Sequence, residues 1–480
     1  MGAKGTRGRT VNGGIMKVAG LVGSLQSVNI ICSVLRAKLV ALWIGPVGIA
    51  LFGIFNSALD MISLVVQLGL RPSAVRELGR ADHASVPRIV RAVRVTALCL
   101  GVGGAILTLC FAPLLSRISF GDGSWWWAFA WLAVAVFLLS LNNAESAVFQ
   151  GLGRFRKLAR CSMIGSLGGC LVSVPMFYFW RIDSIVPSIL AYAVCSWLAL
   201  GFYREKVPAP AAEDLGLRRN LRTGRQLVTF GMYLTVMGIV NYGVTYLFLA
   251  YLNVVADETV VGYYQAGVTL VNRYGSLVFA ALSMEYLPRL SAHAHSRNRT
   301  ELMVSNQFFL LVVCLAGVLS MFVALSPLLI RLFYSDSFLP VLPFVVLAAG
   351  ATLFKGVSWC LGVEVLARGD GRVFLVTEIS SGALNLLLSM LLYRLWGFTG
   401  LGVAYVLWYL SYTGIAWYVY RHRYGLRLRG PVTGAVAVAL LFVAPVVALA
   451  LAGHPYWGLP LAIVAALWSF RTLRRKFLGR

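Results

Sequence analysis

The sequence predicts an all-α integral membrane protein with about fourteen transmembrane helices, and three observations carry that prediction. Hydrophobic residues make up 59% of the 480 and charged residues only 12%, about half the charged share of a water-soluble domain; mean hydropathy is +0.80. Apolar runs of roughly 18 or more residues recur along the whole chain, each long enough to cross a hydrocarbon core about 30 Å thick. Lys and Arg collect in the short segments between those runs, the mark of oriented membrane helices rather than of a charged binding face. A backbone in lipid must satisfy its own hydrogen bonds, which leaves helices or a closed barrel. Barrel strands would be about ten residues long and would alternate in polarity; these runs do neither.

The expected spans lie at 17–43, 47–70, 93–115, 125–149, 161–181, 184–203, 227–252, 262–287, 304–330, 339–367, 373–393, 399–420, 431–452 and 456–470. Counting basic residues on alternate sides tests them. One side holds 34 of the 42 Lys and Arg, the other only Arg117, Arg181, Arg331 and Arg394, while Arg36, Lys38, Arg273 and Lys355 fall inside spans. That asymmetry places both termini in the cytoplasm and requires an even number of crossings. It also absorbs the net charge of +25, so no nucleic-acid partner is expected. The polar, basic segment 1–17 has no short apolar core with a small-residue cleavage site behind it, and reads as a cytoplasmic tail rather than a signal peptide. Eight cysteines fall in or beside apolar runs without CxxC spacing, which argues against a disulfide framework and against a metal site. The myristoylation-like start Met1-Gly2-Ala3-Lys4-Gly5-Thr6 and the sequon Asn298-Arg299-Thr300 are read as chance matches.

The longest polar stretch, Arg204–Gln226, contains Val207-Pro208-Ala209-Pro210 and then Arg218, Arg219, Arg222 and Arg225. It divides the chain into an N-terminal lobe of spans one to six (1–203), a cytoplasmic linker (204–226), a C-terminal lobe of spans seven to twelve (227–420) and an extra helix pair with a basic tail (421–480). Gly48 and Gly53 open span two, and Gly262 and Gly267 open span eight with the same spacing, a weak internal echo of the kind transporter repeats leave.

Polarity inside the spans points to where function lies. Gln26, Asn29, Ser33 and Arg36 recur at helical spacing in span one; Asn56, Asp60, Ser63 and Gln67 do so in span two; Gln265, Thr269, Arg273 and Ser276 do so in span eight. Each set shares one helix face. The three together suggest a wet cavity lined by spans one, two and eight, whereas each alone is equally well read as interhelical hydrogen bonding. Arg273 and Lys355 lie near the middle of their spans. A lipid-facing cation there costs about 2.5–3.5 kcal/mol even on the lenient insertion scale, so each should face water or a partner. Two readings stay open: a fixed ion pair with Asp60, the central acid, or an anion-binding cavity floor. Arg36 continues the stripe of span one, while Lys38 points away and snorkels. Glu145, Glu364 and Glu378 read as end-of-helix charges.

No catalytic constellation emerges. The five histidines lack zinc-site spacing, and there is neither a Walker loop nor a dinucleotide fingerprint, so no cofactor, metal or nucleotide-driven motor is expected and the chain does not read as an enzyme.

Four passages carry a family resemblance: Leu42-Trp43-Ile44-Gly45-Pro46-Val47-Gly48, Phe149-Gln150-Gly151-Leu152-Gly153-Arg154-Phe155, Tyr286-Leu287-Pro288-Arg289-Leu290-Ser291, and the stretch from Lys355-Gly356 to Glu378-Ile379-Ser380. In order and spacing, over residues 10–420, the chain resembles Wzx-type flippases of the multidrug/oligosaccharidyl-lipid/polysaccharide exporter superfamily, in particular those for enterobacterial common antigen and O-antigen. The extra helix pair departs from the twelve-helix members.

The resemblance implies two six-helix lobes around a central cavity in a bacterial inner membrane. It implies alternating access that carries an undecaprenyl-diphosphate-linked oligosaccharide from the cytoplasmic to the periplasmic leaflet, for surface polysaccharide or lipopolysaccharide biosynthesis. Membrane lipid, a polysaccharide polymerase and chain-length machinery would be its partners. Arg273, Lys355 and Arg36 would then supply cations to the diphosphate. Asn29, Asn56, Gln67, Gln265 and Thr269 would supply polar contacts, and Asp60 a polar or coupling group. A drug/cation antiporter of the same superfamily is the alternative, although midplane cations outnumber its expected carboxylates. A membrane polymerase or ligase is a weaker one, because the external loops are about ten residues or fewer.

Overall fold

The computed structural model describes residues 28–82, 85–204, 235, 238–293, 296–368, 370–430 and 432–478. Among these residues the regular structure is helical throughout, and each expected span from the second onward falls on a helix. In chain order the helices are α1 (28–43), α2 (Pro46–Gln67), α3 (Leu70–Arg80), α4 (Val86–Phe120), α5 (Trp126–Gly151), α6 (Phe155–Trp180), α7 (Ile185–Phe202), α8 (238–255), α9 (Glu258–His293), α10 (Arg297–Phe333), α11 (Leu342–Ala367), α12 (Gly371–Tyr418), α13 (Val432–Leu451) and α14 (Leu459–Leu478). Gln26 of the span-one stripe and nearly all of the 204–226 linker lie outside the described residues.

Nine of the described helical segments are long and apolar enough to cross a bilayer, and two of them, Phe155–Phe202 and Gly371–Arg423, each hold two expected spans. α9 and α14 are not among the nine. The reason is composition. α9 carries Gln265, Asn272 and Arg273 in its middle, and α14 ends on Arg471, Arg474, Arg475 and Lys476.

Local chemistry explains the joints. Between α1 and α2 the chain turns at Gly45, whose φ of +87° suits glycine, and Pro46 opens α2 where its missing N–H costs no bond. α12 is two helices joined at Trp396 and Gly397; Gly397 has φ 56° and ψ −132°, a conformation that disfavours a side chain. Gly400 follows, where a Cβ would meet the Leu392 carbonyl oxygen at 1.9 Å. This sharp reversal separates the two expected spans of α12.

The chain forms two compact units, Met1–Glu258 and Thr259–Arg480. In the first, Leu70, Ala74 and Leu78 of α3 pack with Val90, Val93 and Ala97 of α4 and Ala144, Ala147 and Val148 of α5. α8 belongs to this unit: the hydroxyls of Tyr246 and Ser119 lie 2.7 Å apart, and Asn253 donates to the Ser119 carbonyl. In the second, α10 is central, with Leu311, Leu315 and Leu319 against Leu353, Val357 and Leu361 of α11 and Ala435, Ala439 and Val443 of α13. The extra helix pair is part of that core. Ser469 of α14 donates to the Val313 carbonyl, and a Cβ on Gly317 would meet the Ala466 backbone at 3.1 Å, the close small-residue packing that joins membrane helices.

The sequence reading did not anticipate α3, a polar helix that follows the left-handed residues Leu68 and Gly69. Nor did it anticipate how far several helices run past the membrane. The 37 residues of α10 span about 55 Å at 1.5 Å per residue, well beyond a hydrocarbon core of roughly 30 Å.

Candidate functional site

In the first unit the intramembrane cation is Arg36, on α1. Its guanidinium carbon lies 5.4 Å from the ring centroid of Phe52 on α2 and 4.8 Å from that of Tyr192 on α7. Two aromatic faces attract a cation without neutralising it. Its Nη1 is buried and has no hydrogen-bond partner among the described residues, so the charge is held in place with donor capacity left over.

The rest of the two stripes divides by contact. Asn29 donates to Ser162 on α6 at 2.9 Å, an interhelical bond. Asn56 spends its amide on the Phe52 carbonyl one turn earlier, at 2.6 Å. Gln67 is half-buried at the end of α2, and Asp60 is exposed.

In the second unit Lys355 sits halfway along α11. Its Nζ donates to Asn272 Oδ1 on α9 at 3.3 Å and lies 5.6 Å from the Tyr409 ring centroid and 6.0 Å from that of Phe279. Lys355 therefore shares with Arg36 a setting of two aromatic faces, to which it adds a neutral amide. The neighbour of Asn272, Arg273, is half-buried. One turn back, Thr269 shares a hydrogen bond with the Tyr334 hydroxyl, which lies within electrostatic reach of Arg273. Gln265, one turn earlier still, is half-buried.

Behind Lys355 an aromatic wall fixes the geometry. The hydroxyls of Tyr264 and Tyr405 lie 3.3 Å apart, Tyr405 meets Phe344 edge-on at 5.3 Å, and Trp408 donates to Ser381 at 2.8 Å. Tyr412 donates to Glu378. Tyr264 and Phe344 are buried, and Tyr405, Trp408 and Tyr412 are half-buried; Tyr405 also meets Tyr409, the ring beside Lys355, at 6.1 Å.

The carboxylates near the helix ends behave differently. Glu145 takes Arg94 at 2.6 and 2.9 Å and Arg204 at 3.1 Å. Glu301, only 2% exposed, takes Arg429 at 2.6 Å, Arg297 at 3.1 Å and the Arg427 backbone N–H at 3.0 Å. Glu364 is fully buried and takes Arg368 at 2.6 Å. Reading Glu145 and Glu364 as plain end-of-helix charges thus missed their arginine partners. Glu145 lies 51 residues from Arg94, a separation that no local pattern reveals.

Sequence reasoning also passed over Asn272, Phe52, Tyr192, Phe279 and Tyr409. The only signal for Asn272 was its position beside Arg273. The four rings carried none, since aromatic residues abound in every span.

Comparison with known proteins gives these units a context. Residues 45–343 match the polysaccharide biosynthesis protein family. No curated protein matches the chain by sequence. Among solved structures, the chain is similar to an inward-facing multidrug resistance MATE family transporter of the MOP superfamily, at 13% identity and a TM-score of 0.68, over 83% of this chain and 94% of that one. It is similar to the lipid II flippase MurJ in an inward closed conformation, at 12% identity and a TM-score of 0.63, over 96% of this chain and the whole of that one. A third similar structure is a MOP superfamily transporter from Pyrococcus furiosus with a binding pocket of reverse polarity, at 15% identity and a TM-score of 0.51, over 85% and 96% of the two chains. The fold is that of MOP-type transporters. With more than half of its length matched, the chain belongs to the polysaccharide biosynthesis protein family.

Proposed function

We propose that this family member is a flippase that carries an undecaprenyl-diphosphate-linked oligosaccharide from the cytoplasmic to the periplasmic leaflet of a bacterial inner membrane, by alternating access between two lobes. One observation carries the reading. Among the described residues, Lys355 is held by an amide and two aromatic faces rather than by a carboxylate of its own unit, and Arg36 is held by two aromatic faces. Cations positioned but not neutralised suit a diphosphate, which needs charge-assisted donors. Amide and hydroxyl groups along the same helices suit sugars, and the polyprenyl tail needs only lipid. The likeness to a lipid II flippase supports a lipid-linked cargo.

In this reading both termini and the linker face the cytoplasm, and a polymerase and chain-length machinery act on the delivered glycan. The alternative, a drug/cation antiporter, has the MATE-like fold in its favour. The test is flipping of a fluorescent lipid-linked glycan in proteoliposomes. Transport in the wild type and its loss in Lys355→Ala and Arg273→Ala support the reading. Export of cationic dyes, with no movement of the lipid-linked glycan, overturns it.

A further inference from the structure

The proposed flippase function leaves the carboxylate of α2, Asp60, open between an ion-pair partner and a polar or coupling group. Asp60 is exposed near the middle of a span, where an ionised side chain persists only if it faces water or a ligand. Within its unit no described residue takes up that carboxylate in a hydrogen bond or ion pair.

Its neighbour is identifiable from helix register. α2 and α8 touch at Leu64 and Gly238, where a Cβ on the glycine would meet Leu64 Cδ2 at 2.5 Å. At the other end both helices reach the C-terminus of α4: Phe55 lies 5.7 Å from Phe120, and Tyr246 bonds Ser119. The helices are therefore antiparallel, and one turn from the Leu64–Gly238 contact on each brings Asp60 beside Tyr242. The two side chains are close enough to interact electrostatically, and Tyr242 is 44% exposed.

We propose that Asp60 and Tyr242 form a sugar-binding subsite, the carboxylate accepting hydrogen bonds from two adjacent hydroxyls of the glycan and Tyr242 offering its ring face and hydroxyl. A carboxylate is the acceptor-only group that two neighbouring hydroxyl donors fit, and a tyrosine presents an apolar face with a polar tip. A cationic ligand would also like an acid beside a ring. It is disfavoured because Phe52, on the same face of α2, holds the Arg36 guanidinium about 12 Å away along the helix axis. The pair thus sorts the cargo by its sugar, whereas Arg36 and Lys355 answer to its charge.

The inference rests on the flippase reading, and the experiment separates the two. Purified full-length protein in nanodiscs is titrated with farnesyl diphosphate, with farnesyl-diphospho-N-acetylglucosamine and with tetraphenylphosphonium. The wild type should bind the glycosylated probe more tightly than the bare diphosphate. Asp60→Asn should lower affinity for the glycosylated probe about tenfold, the worth of one charge-assisted hydrogen bond, and leave farnesyl diphosphate unchanged, which also shows that the variant is folded. Tyr242→Phe should act in the same direction and less. An unchanged sugar-dependent gain in Asp60→Asn overturns the subsite while leaving the flippase reading intact. Loss of tetraphenylphosphonium binding alone makes Asp60 a cation site and overturns it too. Failure of the wild type to bind either diphosphate defeats the flippase reading and the subsite with it.

Discussion

Cations inside the spans and cations at the helix ends are made from the same side chains and meet opposite partners. Arg36 and Lys355 rest on aromatic faces, with Asn272 the amide for Lys355. Arg94, Arg204, Arg297 and Arg429 converge in pairs on Glu145 and Glu301. The arginines at the helix ends are structural in the ordinary sense, because Glu145 and Glu301 are each balanced by more than one donor. Among the described residues neither Arg36 nor Lys355 meets a carboxylate of its own unit, and a charge so placed costs stability. Such strain persists where a ligand, not the fold, supplies the missing partner.

The largest test of that contrast removes the midplane charge. Lys355→Ala and Arg273→Ala should each lower glycan flipping about tenfold to a hundredfold, the value of one or more charge-assisted bonds to the cargo. Membrane insertion and thermal stability should change little, as read by membrane fractionation and detergent melting. The double variant Asp60→Asn/Arg273→Gln sharpens the same test. Recovered flipping there would mean that the two were an ion pair, and would close the gap between midplane and end.

The next effect lies at the other end of the comparison. Glu301→Gln should cost about 1–2 kcal/mol, since the arginines it binds are half-exposed and can turn to water. Flipping should change only as far as folded protein is lost. Acidification should act at the same place. Burial works to raise the Glu301 carboxyl, but hydrogen bonds from Arg297, the Arg427 backbone and Arg429, with the Arg429 charge, hold it below the usual glutamate range. A depressed carboxyl contributes stability that is present above its unfolded value and lost as pH falls through its folded one. The melting temperature should therefore drop below the usual glutamate range in the wild type, and less in Glu301→Gln. Asp370, in the turn between α11 and α12, should add to that slope. Desolvation opposes its ionisation, yet Arg423, the Val373 N–H and Tyr424 hold it below the usual aspartate range.

The smallest expected effect is Asn272→Ala. It removes a single neutral hydrogen bond from Lys355 and should reduce flipping about threefold, through cargo affinity, as a half-saturation measurement would read. A loss as large as that of Lys355→Ala would make the amide a direct ligand and not a holder.

Hydropathy and basic asymmetry made the spans legible, because crossing a bilayer imposes length and polarity on each segment separately. The cations at 36, 273 and 355 were legible for the same reason: charge inside a span is rare and costly. What surrounds them was not. Lys355 and Asn272 are 83 residues apart, and Tyr409 is one ring among many in the apolar C-terminal half. Asn29 and Asn56 showed the limit of the stripe argument. Both sit at helical spacing with the cavity candidates, yet one bonds α6 and the other its own helix. α3 escaped because no long apolar run announces a polar helix of 11 residues.

The seat of α14 on α10 has a consequence for how the chain is made. Ser469 meets the Val313 carbonyl across 156 residues of sequence, and the groove at Gly317 is shaped for the backbone of a helix that the ribosome has yet to produce. At roughly 5–20 residues per second, about 8–30 seconds separate the two. Through that interval α10 stands in the bilayer with an unfilled furrow of small residues. Release of the chain before α14 would leave the furrow open to the wrong helix. α14 is thus a keystone, and a ribosome stall just upstream of it should yield protein that inserts but is cleared by membrane proteases.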